Sequence, residues 1–327
     1  MAKSVKVVVT GATGQVAYTL LPRIAAGEMF GPDTEVDLRL SDIPQVIEKA
    51  KGLVMELEDG AYPLLSRVIA SADRAESHAD ADWVLLVGSK PRGPGMERND
   101  LIRENGPIFV SEGKAIAQHA KRARVAVVGN PCNTNCLIAK HAAGGALPDD
   151  RWTAMTRLDQ NRARAQVANK AGARVADVKK LVIWGNHSAT LYPDFTNAVV
   201  GGRKVTSAVD RAWLEGDFLR TVQQRGAAII AARGASSAFS AAQALIDHVR
   251  ALLSPTPADD WTSVAVASDG SYGVPEGLIS SFPVRSKGDG SYEIVQGIEL
   301  DEYARGKLRA TVAELEKERE VVKDLLA

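Results

Sequence analysis

The sequence predicts an α/β protein in two parts: a doubly wound parallel sheet over residues 1–155, then an α+β domain over 156–327 with antiparallel strands. Three observations predict it. Short apolar runs alternate with helical patterns through the first half, which marks parallel strands joined by crossovers. That alternation stops near residue 155. Beyond it come long helical patterns, then alternating segments joined by the turn signals SDGSYG and KGDGS, which read as an antiparallel ribbon. A chain of 327 residues suits two domains at about 150 residues each, and it can bury a large core without covalent staples.

The elements follow in order. VKVVVT (5–10) reads as a strand and QVAYTLLPRIAAGEM (15–29) as a helix. EVDLRLSD (35–42) is a strand, and residues 43–60 are a helix. DWVLLVGS (82–89) and ARVAVVGNP (123–131) are strands of the fully buried type, with a helix over 105–123 between them. In the second half, residues 156–172 form a helix ending at Gly172, and the apolar run LVIW (181–184) is a strand. Residues 225–253 read as one long Ala-rich helix, 262–297 as the ribbon, and 300–326 as a charged amphipathic helix.

Composition narrows the function classes. Forty basic residues balance forty acidic ones, so no net field favours nucleic acid or an anionic membrane. No apolar run reaches the roughly 18 residues of a membrane span. The start, MAKSVKVVVTGATG, enters a strand without a leader-like apolar region, and the expected location is cytoplasmic. Cys132 and Cys136 have CxxxC spacing, neither the redox CxxC nor a paired zinc motif, so no metal site is expected.

A nucleotide loop comes first. In VVVTGATGQVA (7–17) a strand, a Gly-rich turn and a helix start carry Gly11-x-x-Gly14-x-x-Ala17. Small residues there let backbone N–H groups and a helix N-terminus approach a pyrophosphate. Taken alone, the loop reads equally well as a tight strand–helix turn. Asp42 changes the balance: it ends the next strand, near the spacing at which a carboxylate meets the adenosine ribose. It also has an alternative, as a cap before Pro44. Because both features fall in one strand–helix–strand unit, the reading is a Rossmann-type site for NAD, with Asp42 repelling the extra phosphate of NADP.

Acid–base chemistry is the second candidate. WGNHS (184–188) puts His187 just past an apolar strand and a glycine. Histidine suits proton transfer near neutral pH and usually needs a carboxylate to orient it. TRLDQNRAR offers Asp159, with Arg162 three residues on and so on the same helix face. Without a partner and a substrate clamp, His187 reads as a histidine at a turn, and DQNRAR as a solvated helix face. The other histidines fall at polar or surface-type positions: His78 in a polar loop, and His119, His141 and His248 on helical patterns beside charges. GSKPRGPGMERND (88–100) adds Arg92 and Arg98 in a Gly/Pro-rich segment at a strand end, either a lid carrying carboxylate grips or a plain surface loop. One carboxylate needs about one bidentate arginine, so three arginines point to a dicarboxylate. Asn130, in VVGNPCNTN, is a polar contact for substrate or nicotinamide, or simply an Asn-Pro turn.

Taken together, TGATGQVAYTLLPRIAAGEMFG, PRGPGMERNDL, VVGNPCNTN, MTRLDQNRA, IWGNHSATLYPD and SDGSYGVPEGLISSFPV resemble the malate dehydrogenases of the lactate/malate dehydrogenase family, in the cytosolic-type branch found also in bacteria. The resemblance runs along nearly the whole chain. It implies reversible, NAD-dependent interconversion of malate and oxaloacetate by a homodimer. It implies His187 as acid–base and Asp159 as its partner. Arg162 is implied as the clamp on the reacting-end carboxylate, and Arg92 as the reader of the distal carboxylate, assisted by Arg98. Gly11, Gly14, Gln15, Asp42, Asn105, Asn130 and Ser240 are implied as cofactor contacts. Four positions depart from the family pattern: Gln160 where His is frequent, Cys132 where Ala is usual, Phe239 where Met is common, and Lys90 at a variable site. None removes a catalytic group; Cys132 would make the edge of the site sensitive to thiol reagents. Two rival readings stand beside this one, a lactate-type 2-hydroxy acid dehydrogenase and a non-catalytic NAD-binding regulatory dimer.

Overall fold

The computed structural model describes residues 3–91 and 95–326. Contacts divide the chain into two compact units. One comprises Met1–Ala154, Ala238–Arg250 and Glu318–Ala327; the other comprises Met155–Ser237 and Ala251–Lys317. Neither unit is a single stretch of chain.

The first unit opens with β1 (Lys3–Thr10), α1 (Gln15–Ala25), β2 (Thr34–Ser41), α2 (Ile47–Asp59), β3 (Leu65–Ser71) and α3 (Arg74–His78). It continues with β4 (Trp83–Leu86), α4 (Arg98–His119), β5 (Arg124–Val127), α5 (Cys132–Ala142) and β6 (Trp152–Ala154). The six strands are parallel, in the order β3-β2-β1-β4-β5-β6. Val7, Val8 and Val9 of β1, Val84 to Leu86 of β4 and Val125 to Val127 of β5 are fully buried. Such unbroken apolar runs occur because helices cover both faces of a parallel sheet. The strand order reverses between β1 and β4, and sheets of this kind bind ligands at that reversal, outside the carboxyl ends of the strands.

The second unit begins with α6 (Arg157–Ala171), then β7 (Val178–Lys179), β8 (Val182–Trp184), β9 (Tyr192–Asp194), β10 (Val199–Val200) and β11 (Arg203–Lys204). Short helices α7 (Val205–Ala208) and α8 (Arg211–Trp213) lead into α9 (Leu219–Arg233). After α10 (Phe239–Leu253) come β12 (Thr262–Ala267), β13 (Ile279–Ser286), β14 (Tyr292–Ile294) and α11 (Glu302–Val321). β12, β13 and β14 pair antiparallel, the expected ribbon, and β8 and β9 form a hairpin.

Several expectations are corrected. The single helix expected over 225–253 is two, α9 and α10. The break is at Gly234, whose φ of +74° is a left-handed helix end. α4 starts at Arg98, not at 105, because Glu97 and Asp100 form a reciprocal capping box. Asn105, Gly106 and Pro107 look like a breaker yet lie inside this helix. β3, β6 and α5 were not anticipated. Among the described residues, no helix is long and apolar enough to cross a membrane.

Candidate active site

β8 is wholly buried, and Trp184 at its end packs edge-on against Tyr272 and Phe282, with ring centroids 4.8 and 6.1 Å away. Gly185 then turns the chain at φ +84°. A Cβ at this residue would lie 2.0 Å from the Thr311 side chain, so both conformation and space require glycine. The turn delivers His187. Its Nδ1 is hydrogen-bonded to Oδ2 of Asp159. Asp159 lies in the first turn of α6 and is fully buried. Its Oδ1 accepts from Arg162 Nη1 at 3.0 Å, one helical turn on. The sequence expected these three together, and the second unit brings them together. The His187 side chain keeps 18% exposure and that of Arg162 14%. Arg162 Nη2 reaches Ser237 Oγ at 3.4 Å, while its buried Nε has no protein acceptor among the described residues. A guanidinium with an unspent N–H is suited to a carboxylate.

Gln160, the departure beside Asp159, is buried and fully engaged. Nε2 donates to Leu181 O at 2.8 Å, and Oε1 accepts from Ser263 N at 3.0 Å and Thr262 Oγ1 at 3.3 Å. It ties the helix carrying Asp159 to the segment leading to His187.

In the first unit, Gly11 has φ +62°, and a Cβ there would lie 2.4 Å from Gly88 Cα. Gly88 follows β4, so two glycines pack backbone to backbone where the strand order reverses. Gly14 N donates to Gly11 O at 2.9 Å. It is the N-cap of α1 and has no side chain with which to cap that helix. Gly14 and Gln15 are exposed. Asp42 stands just past β2 and is half-buried. Its Oδ2 accepts from Thr13 N at 2.9 Å and Thr13 Oγ1 at 2.8 Å, and its Oδ1 accepts from Ile43 N at 2.9 Å. A cradle without Cβ atoms, a helix N-terminus and a fixed carboxylate one strand away fit a dinucleotide.

The remaining candidates are placed variously. Asn130 is exposed beyond β5. Asn105 is fully buried: Nδ2 donates to Lys90 O at 3.2 Å, Leu101 O at 3.1 Å and Asn130 O at 3.3 Å, and Oδ1 accepts from Lys90 N at 2.8 Å. It is a tie between two strand-end loops. Arg98 begins α4 and pairs with Glu318 Oε1 at 2.6 Å; the buried Glu318 also accepts from Thr134 Oγ1. Ser240 lies half-buried in the first turn of α10. Arg92 lies outside the described residues.

Three expectations about lone side chains fail. His78, expected in a polar loop, is fully buried and pairs with Glu112 at 3.2 Å. His248, expected at a surface, is buried, with Nε2 3.0 Å from Thr153 Oγ1. Cys132 is 1% exposed, which shields it from thiol reagents; burial pushes the neighbouring Cys136 thiol up. Thr311 and Glu314, which touch the His187 segment, were not anticipated: on a charged amphipathic helix they look like any other polar positions.

Comparisons with known proteins bear on the whole chain. Residues 5–150 match the family described as lactate/malate dehydrogenase, NAD binding domain, and residues 156–326 match its alpha/beta C-terminal domain. A malate dehydrogenase of Magnetococcus marinus is 53% identical over 327 residues, covering 100% of this chain and 99% of that protein. The crystal structure of a malate dehydrogenase from Naegleria fowleri superimposes with a TM-score of 0.95 at 41% identity, covering 100% of both chains. A Trichomonas vaginalis lactate dehydrogenase, solved with NADH and oxamate, gives 0.94 at 36% identity and covers 98% of this chain and 99% of that one.

Proposed function

The chain belongs to the lactate/malate dehydrogenase family of NAD-dependent oxidoreductases, and on that premise we propose that it interconverts (S)-malate and oxaloacetate. The observation that carries the reading is the cluster of His187, Asp159 and Arg162, with the unspent Nε of Arg162. The bound cofactor supplies or accepts the hydride at the carbinol carbon. Everything else falls to the protein. Arg162 holds the carboxylate beside the reacting carbon. His187 commits Nδ1 to Asp159, so Nε2 exchanges the hydroxyl proton. Asp159 stabilises the imidazolium and fixes the ring. In reduction His187 gives its proton to the substrate oxygen as the acid, and in oxidation the ring takes that proton back as the base.

Choice of a dicarboxylate rests on Arg92 and on Arg98 at the start of α4. Arg92 would read the distal carboxylate, with Arg98 assisting. A pocket built for that charge leaves a cation unpaired when the substrate carries a methyl, a mismatch that supports discrimination of about 10⁴. The name of the 53%-identical relative points the same way. A lactate-type reaction is the second reading, favoured by the nearly equal structural match to the Trichomonas lactate dehydrogenase. As to assembly, we infer a homodimer. Tyr18 and Met55, on α1 and α2, are 54% and 62% exposed, and Tyr18 lines a groove with Leu21, Pro22, Leu53, Leu57, Tyr62 and Glu56, to which it donates at 3.2 Å.

The test is oxidation of NADH by the purified protein with oxaloacetate and with pyruvate, with NADPH in parallel. Rapid loss with oxaloacetate and NADH alone is expected. Preference for pyruvate would overturn the arginine argument and leave the acid–base trio standing; no turnover with either would sink the enzymatic reading.

A further inference from the structure

The segment carrying His187 is held from behind by one carboxylate. Glu314 Oε2 accepts three hydrogen bonds: from Asn186 Nδ2 at 2.9 Å, from Thr190 Oγ1 at 2.6 Å, and from Ser188 Oγ. One turn earlier on the same face of α11, the buried Thr311 hydroxyl accepts from Asn186 N at 2.9 Å and lies 2.9 Å from Thr190 Oγ1, to which it can donate its own proton. Thr311 also fills the space that a side chain at 185 would occupy. Residues on both sides of His187 are therefore fixed to α11, while the imidazole itself turns to Asp159.

We propose that Glu314, backed by Thr311, is the positioning residue for His187, setting the ring against Asp159 and aiming its second nitrogen at the substrate oxygen. The inference rests on the acid–base reading of His187 given above. Its physical basis is the tolerance of proton transfer. A loop glycine at positive φ supplies no rigidity, and a displacement of about 1 Å at a reacting group costs roughly 100-fold in rate. Hydrogen bonds to a charged acceptor are about twice as strong as neutral ones, so a carboxylate with three donors can hold a turn that the backbone leaves soft. Gln160 performs the matching task for the other partner, tying the helix of Asp159 to Leu181.

The test uses the full chain with Glu314→Ala and Glu314→Gln. For each variant, kcat and KM for oxaloacetate, the Kd for NADH by fluorescence, and amide hydrogen exchange over residues 185–191 are measured. Glu314→Ala should lower kcat about tenfold or more, leave the NADH Kd and the oxaloacetate KM within about twofold, and speed exchange in the segment about tenfold. Glu314→Gln keeps an acceptor oxygen and should recover most of both effects. A Glu314→Ala protein with wild-type kcat overturns the proposal, as does a kcat loss matched by lost NADH binding, which marks general damage. If Glu314→Ala does not fold, Thr190→Val carries the same measurements with about a threefold fall expected, and unchanged kcat there overturns the proposal. A wild-type protein inactive on every 2-oxo acid would sink the reaction reading. The exchange experiment would then stand alone, and unaltered exchange in Glu314→Ala would overturn the positioning role by itself.

Discussion

Each unit of the chain contains a histidine, a carboxylate and an arginine in mutual contact. In the second unit the trio is His187, Asp159 and Arg162. In the first it is His78, Glu112 and Arg74, with His78 Nε2 3.2 Å from Glu112 Oε2 and Arg74 Nε 2.9 Å from Glu112 Oε1. The chemistry of the groups is the same and their surroundings differ. His78 is fully buried, and its other nitrogen lies 3.0 Å from Ser77 Oγ, so the protein occupies both sides of the ring. His187 gives one nitrogen to Asp159 and stays partly exposed, and Arg162 keeps an N–H without a protein acceptor among the described residues. Burial opposes ionisation of Glu112, but the hydrogen bond and charge of His78, with Arg74, outweigh it and hold the carboxyl below its ordinary range. On the proposed reading, access is what separates a paired histidine that carries a proton from one that is a piece of core.

Substitutions can break or sharpen this contrast. His187→Asn should lower turnover by about 10²–10⁴-fold while NADH binding, read by fluorescence, stays as in the wild type. A comparable loss in His78→Gln would erase the distinction between the two trios. Arg162→Gln should raise the oxaloacetate KM by roughly 100-fold, since it removes one side of a desolvated charge pair; steady-state kinetics decides. His78→Gln should leave turnover within about twofold and cost about 1–3 kcal/mol of stability, measured by urea unfolding. The smallest effect concerns acid. A carboxyl lowered by folding contributes stability above its unfolded value, near 4.3, and loses it as pH falls through the folded one. The stability gap between wild type and Glu112→Gln should therefore shrink below about pH 4; a gap constant across that range would remove Glu112 from the acid limb.

The same contrast marks how far sequence could be read. His187 was legible because an apolar strand and a glycine precede it, and Asp159 and Arg162 because helix spacing puts them on one face. His78 was not, because AESHADAD is polar throughout and its burial comes from α3 packing with α4, which no local pattern encodes. The parallel sheet was visible in its apolar runs, yet β6 has three residues and β3 only a weak alternation, too little for a periodic signal. Asn-Gly-Pro inside α4 hid the first seven residues of the helix, Arg98 to Glu104, although Glu97 and Asp100 carried the capping signal. Glu314 had no signal at all: its value comes from what the 186–190 turn presents to it.

The first unit is completed by residues far along the chain. Glu318 binds Arg98 and Thr134, and Leu325 lies against Gly106, where a Cβ would come within 2.4 Å of it. During synthesis the six parallel strands are all made by residue 154, yet these partners are still to be translated. At about 5–20 residues per second, the nascent sheet spends many seconds with the starts of α4 and α5 without these partners. The nucleotide-binding unit therefore gains its last contacts only after residues 318 to 325 have been made.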